Sequence, residues 1–114
     1  MHEMGLMDAV IRTVTRICEE DGSVNKVKKL TLEVGEISGV EPHFLREVYP
    51  AVAEGTICED AELEIELVPG IFHCNICGID FPADIQRLEC PECHKDHLTP
   101  VAGNDFLIKE IEAD

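Results

Sequence analysis

A chain of 114 residues with 24 Asp and Glu against 9 Lys and Arg, a formal net charge of -15, has too few basic side chains to displace the counterions of a polyphosphate, which argues against nucleic acid as a partner. The length leaves room for one modest apolar core beside a second, metal-stapled lobe. No apolar run approaches the roughly 20 residues a membrane span requires, and two C-x-x-C pairs without a signal peptide fit a reducing, cytoplasmic compartment better than an extracellular disulfide framework.

Met4, Met7, Ile11, Val14 and Cys18 recur at helical spacing, with Val10 and Ile17 widening the stripe, and predict an amphipathic helix over about 4–20 that Asp21-Gly22-Ser23 stops. From Val27 to Val34, Leu30, Leu32 and Val34 alternate with Thr31 and Glu33, the pattern of a strand with one buried and one wetter face. After a turn-rich connection, Pro42 suits the first turn of a second helix reaching about Tyr49, with Phe44, Leu45 and Val48 on its apolar side and Pro50 ending or kinking it. Ala61 to Leu67 alternates strictly, giving a strand with an aliphatic face and a carboxylate face of Glu62, Glu64 and Glu66 whose ordinary role is a solvated outer surface. Pro69-Gly70 marks a boundary, and Phe106 to Ile111 forms a last short strand whose apolar residues need the first sheet to cover them. The expected fold is α/β of the α+β kind: two helices on a small, about three-stranded mixed sheet, with an inserted zinc-ribbon lobe. Residues 1–69 plus 103–114 would form a discontinuous α/β domain, and 70–102 a four-cysteine zinc-binding domain.

Between Pro69 and Pro100 the chain carries Cys74-Asn75-Ile76-Cys77 and Cys90-Pro91-Glu92-Cys93. Each pair bends the backbone so that both sulfurs face one ion, and two pairs close a tetrahedral thiolate cage with no open coordination position, so the expected ion is a structural Zn(II) held by Cys74, Cys77, Cys90 and Cys93. The apolar residues nearby, Ile71, Phe72, Ile76, Ile79, Phe81, Ile85 and Leu88, make a core that would be marginal without metal. The knuckles are similar to those of rubredoxin, an iron protein, but His94 follows the second one where that family has glycine, and the chain has no Trp. His73, His94 and His97 flank the cage; the ordinary reading places them at the surface, the functional one lets them tune the sulfurs or meet a second metal. Cys18 and Cys58 read as ordinary buried thiols. No Ser/His/Asp arrangement, phosphate-binding loop or H-E-x-x-H is present, so an enzyme active site finds no support.

Met1-His2-Glu3 offers different chemistry. A terminal amine, a backbone amide nitrogen and a nearby imidazole can form fused chelate rings around an ion that accepts a square-planar nitrogen field, and Ni(II) and Cu(II) are such ions. Taken alone, a His at position two is a common accident of sequence. The opening Met1-His2-Glu3-Met4 running into a helix, the stretch Gly35-Glu36-Ile37-Ser38-Gly39-Val40-Glu41-Pro42, the run Glu54-Gly55-Thr56, the strand from Ala61, the two knuckles and Gly103 to Glu112 together resemble the HypA family, nickel metallochaperones of NiFe-hydrogenase maturation. The resemblance covers nearly the whole chain. It implies transported Ni(II) at the N terminus, with Met1 supplying the amine, His2 imidazole and amide nitrogen, and Glu3 orienting the site or assisting transfer. It also implies structural Zn(II) at the four cysteines, a HypB-like GTPase partner, delivery to the hydrogenase large subunit and, in some bacteria, service to urease maturation proteins. The rival class is a zinc-ribbon interaction or regulatory module in which Met1-His2-Glu3 is incidental.

Overall fold

At about 100° per residue, Glu3, Met7, Val10, Ile11, Val14 and Cys18 fall on one side of a helix, and these are the buried residues of α1 (Glu3–Asp21) in the computed structural model, which describes residues 2–22 and 25–114. Met4 and Ile17, expected on this stripe, are 52% and 45% exposed. Each lies about 70° from the centre of the buried face, one on either rim. The place one turn before Met7 belongs instead to Glu3, which sequence periodicity did not put inside. Gly22 stops the helix at φ 75, its N–H shared between the carbonyls of Cys18 and Glu19 at 3.2 and 3.1 Å. Ser23, the last residue of the predicted stop signal, lies outside the described residues.

Strand β1 (Val27–Gly35) buries Leu30, Leu32 and Val34 as the alternation requires, and also Val27, which has the opposite parity at the start of the strand. It is the middle strand of three, in the order β2-β1-β6, with β2 spanning Glu62–Val68 and β6 spanning Phe106–Ala113. Val27 N–H bonds the Ile57 carbonyl and Glu36 N–H that of Val68, so β2 runs parallel to β1. Gly35 N–H to the Asp105 carbonyl and Asp114 N–H to that of Lys26 run β6 antiparallel. The sheet is therefore mixed, and the described residues form two helices, as the sequence predicted. Thr31 was expected on the wetter face but is 4% exposed. Lys109 on β6 reaches Glu66 on β2 at 2.6 Å, a pair that spans the middle strand, and Lys29, two residues before Thr31 on the same face of β1, reaches Glu64 on β2 at 2.8 Å, so the short side chain lies among long ones. Leu67, placed by the pattern on the aliphatic face, is exposed near the end of an edge strand.

The parallel step from β1 to β2 needs a crossover, and α2 (Pro42–Ala53) supplies it. Glu41 caps its start by accepting the His43 N–H, and Pro42 occupies the first turn. The helix does not end at Tyr49. It continues through Pro50 because Leu45, Tyr49 and Ala53, four residues apart, carry one buried face past it, while Pro50 and Arg46, whose carbonyl loses a partner there, are both exposed. Phe44, expected inside, is exposed on another side of the same helix. The buried Tyr49 hydroxyl donates toward the carbonyls of Cys58 (3.0 Å) and Ala61 (3.2 Å), pinning the loop that leads into β2.

The chain divides into two compact units, one of Met1–Leu32, Glu41–Glu66 and Leu107–Asp114, the other of Glu33–Val40 and Leu67–Phe106. The second contains an antiparallel sheet in the order β4-β3-β5, built from β3 (Ile71–Cys74), β4 (Asp80–Pro82) and β5 (Leu98–Ala102), with Phe72 opposite Phe81 and Cys74 opposite Leu98. Among residues 71–102, Cys74 and Cys90 alone are buried. Ile76, Ile85 and Leu88, expected in a small core, are exposed because they sit on irregular segments between the strands. In this unit three backbones also meet without side chains between them: a Cβ on Gly35 would overlap the Gly103 carbonyl, and one on Gly103, already at φ 74, would lie 2.6 Å from the Gly70 Cα.

Candidate metal centre

The two knuckles repeat one backbone pattern. In the first, which starts at the end of β3, Cys74 N–H bonds the Ile79 carbonyl at 2.8 Å, and Gly78, at φ 75, returns its N–H to the Cys74 carbonyl at 2.9 Å. In the second, Cys90 N–H bonds the Lys95 carbonyl at 2.9 Å, and His94, at φ 59, returns its N–H to the Cys90 carbonyl at 2.9 Å. His94 thus occupies the left-handed position that glycine fills in the first knuckle. A bond from Asn75 N–H to the His97 carbonyl ties the first knuckle to the segment entering β5.

This backbone brings the four sulfurs together. Cys74 and Cys93 are 3.8 Å apart, Cys77 and Cys90 3.9 Å, and all four ligand atoms lie within 4.8 Å of one another. A tetrahedron with Zn–S bonds of about 2.3 Å has edges of about 3.8 Å, so the donor set fits such an ion. The Cys77 N–H points at the Cys74 sulfur (3.3 Å) and the Glu92 N–H at that of Cys90 (3.4 Å). As thiols these groups are strongly coupled: the Cys77 amide draws Cys74 down to about 7, while the other sulfurs, Cys93 first, push Cys77 up to about 12. Four thiolates at this spacing need a cation, and binding one displaces protons.

The flanking histidines have other engagements. His73 Nδ1 lies 2.6 Å from Asp80 Oδ1 and His94 Nδ1 3.2 Å from Glu89 Oε2, while His97 lends its main-chain carbonyl to Asn75. Among the described residues, none of the three joins the ligand group.

At the other end of the chain Met1 lies outside the described residues. The His2 side chain is 65% exposed, with Nε2 3.6 Å from Oε2 of the buried Glu3. The same Glu3 oxygen accepts the Glu41 N–H at 3.3 Å, joining the start of α1 to the start of α2. Burial pushes the Glu3 carboxyl up, but the N–H groups of Glu3 and Glu41 and the charge of His2 together bring it below the ordinary carboxylate range. The link to Glu41 was invisible in the sequence, since the two residues share no local pattern and stand 38 positions apart.

The family model described as HypA, hydrogenase/urease nickel incorporation, metallochaperone, matches residues 1–113. A hydrogenase maturation factor HypA of Chlorobium limicola is 34% identical over 111 residues, covering 97% of this chain and 95% of that protein. One from Rhodopseudomonas palustris (strain BisA53) is 37% identical over 114 residues, covering 100% of both. The solution structure of the Ni metallochaperone HypA from Helicobacter pylori superposes with a TM-score of 0.59 at 21% identity, covering 93% of this chain and 95% of that one, a likeness of fold.

Proposed function

The chain belongs to the HypA family of hydrogenase maturation factors, nickel metallochaperones rather than enzymes, and on that premise we propose that it carries one Ni(II) ion at its N terminus and passes it on for maturation of NiFe-hydrogenase. Met1 supplies its amine, and His2 its amide nitrogen and imidazole. The observation that carries this reading is the orientation of His2. Its ring is exposed, and Nε2 is the nitrogen turned toward the buried Glu3 carboxylate, which leaves Nδ1 to close a chelate ring with the amide nitrogen of the same residue. Glu3 then orients the imidazole from the side away from the metal. A square-planar nitrogen field of this kind suits Ni(II).

Cys74, Cys77, Cys90 and Cys93 hold Zn(II), supported by sulfur spacing that matches a tetrahedral thiolate cage. The ion fills all its positions with sulfur and supplies cross-linking. The domain of residues 70–102 is the zinc-binding one, and 1–69 plus 103–114 carries nickel. The partners are a HypB-like GTPase and the hydrogenase large subunit, with urease maturation proteins where that enzyme exists, and the setting is the cytoplasm. Among the described residues no helix is long and apolar enough to cross a membrane.

Calorimetric nickel titration tests the proposal. One saturable site per chain is expected, lost in His2→Ala and on adding a residue ahead of Met1, with zinc content and circular dichroism unchanged. Affinity should fall as pH drops from about 7.5 to 6, because protons compete with the metal for its nitrogen donors. Undiminished nickel binding by the extended protein would rule out the amine as a ligand.

A further inference from the structure

The four sulfurs of the cage are not equivalent. The leading cysteine of each pair, Cys74 or Cys90, is 0% exposed and accepts a backbone N–H on its sulfur. The trailing ones, Cys77 and Cys93, accept no backbone N–H among the described residues, and of these two Cys93 is half-buried whereas Cys77 is exposed. A bound divalent ion keeps all four as thiolates, so protonation no longer ranks their reactivity. What remains is access and hydrogen bonding. An N–H pointed at a thiolate withdraws charge and weakens it as a nucleophile, and burial excludes the electrophile.

Hydrogen bonding sets the trailing pair apart and access then separates Cys77 from Cys93, and we propose that Cys77 is the site at which hydrogen peroxide enters the cage, making the second unit sensitive to oxidation. This rests on the zinc reading given above. The Cys77 thiolate attacks one peroxide oxygen, the O–O bond breaks, and the departing hydroxide takes a proton to leave as water, giving a sulfenic acid. The Cys90 thiolate, 3.9 Å away, then attacks the Cys77 sulfur; an S–S bond forms, the S–O bond breaks, and the second hydroxide leaves as water with another proton. Two thiolates have lost two electrons, peroxide has gained them, and zinc has lost two of its four ligands. With no apolar side chain buried between residues 71 and 102, the lobe has little to hold its shape once the ion leaves.

The experiment uses the full chain as purified. Zinc is quantified first, with one per chain expected; a chain without zinc overturns the cage reading and this proposal together. The zinc-loaded protein is then treated with limiting N-ethylmaleimide and mapped by peptide mass spectrometry. Cys77 should carry the first label, several-fold ahead of Cys93, with Cys74, Cys90 and the buried Cys18 and Cys58 last. Hydrogen peroxide should release zinc to a chelating dye in step with a Cys77–Cys90 disulfide, and Cys77→His, which keeps a zinc ligand but no thiolate, should slow that release several-fold. First labelling at another cysteine, even labelling across the cage, or zinc retained after Cys77 is oxidised would overturn the proposal while leaving the zinc reading intact.

Discussion

Helices α1 and α2 with the strand between them bury Met7, Val14, Val27, Leu30, Leu32 and Leu45 almost completely, whereas between residues 71 and 102 only Cys74 and Cys90 are buried and Ile76, Ile85 and Leu88 stand in solvent. The two regions meet the cost of chain ordering in different ways. In the first, stabilisation is spread over many apolar contacts, so each substitution removes a share. In the second, on the reading proposed above, it is concentrated in one ion, so loss of a single sulfur removes nearly all of it.

The strongest way to break this comparison is Cys90→Ser. Apparent zinc binding in small domains is about 10 to 16 kcal/mol, so amide resonances from residues 71–102 should lose their dispersion in a nitrogen-correlated spectrum while those of α1 and α2 keep theirs. A dispersed lobe in the zinc-free variant would mean that the exposed apolar residues are doing more than their positions suggest. Leu45→Ala reverses the experiment. It should cost about 2 to 5 kcal/mol in denaturant unfolding, yet leave zinc at one per chain.

Tyr49 sharpens the comparison from the first region, because it is the only tyrosine and the chain has no tryptophan, so phenolate absorbance reports it alone. Burial, with a smaller contribution from Cys58, pushes its hydroxyl up to about 12. The folded state therefore holds the proton more tightly than the unfolded chain. Its stabilising effect is complete below the ordinary value of about 10 and is lost as pH rises toward 12. Phenolate absorbance should rise only in that upper range or together with unfolding. Tyr49→Phe should cost about 1 kcal/mol near neutrality and flatten the alkaline decline. His94→Gly should have the smallest effect and the opposite sign: relieving a left-handed non-glycine residue should strengthen resistance to chelators by up to about 1 kcal/mol, after the added flexibility of glycine in the unfolded chain is subtracted.

The features legible in the sequence were those written over a few residues. Gly22, Pro42 and the alternation in β1 act locally, and two C-x-x-C pairs name their own chemistry, so the helices, the first sheet and the grouping of four sulfurs could be anticipated. Failures came where neighbours decide. Met4 and Ile17 satisfy helical spacing, but spacing does not say how wide the covered face is. Pro50 is a helix breaker by composition, and only the buried face through Leu45, Tyr49 and Ala53 shows that it is tolerated. Thr31 is buried on a middle strand that a Lys109–Glu66 pair spans from its two neighbours. At the N terminus, Met1-His2-Glu3 suggested a chelate, while the burial of Glu3 and its bond to Glu41 depend on a helix start far along the chain.

The contact between Gly70 and Gly103 gives the segment from 71 to 102 a single doorway: it leaves and returns at touching backbones. A segment with coincident ends can be lengthened, shortened or exchanged with little penalty, since doubling a loop adds only about 0.6 kcal/mol of closure entropy. The doorway itself tolerates almost nothing, because one methyl group on Gly35 or Gly103 would force the backbones apart. Natural variation in length should therefore collect beyond the glycines.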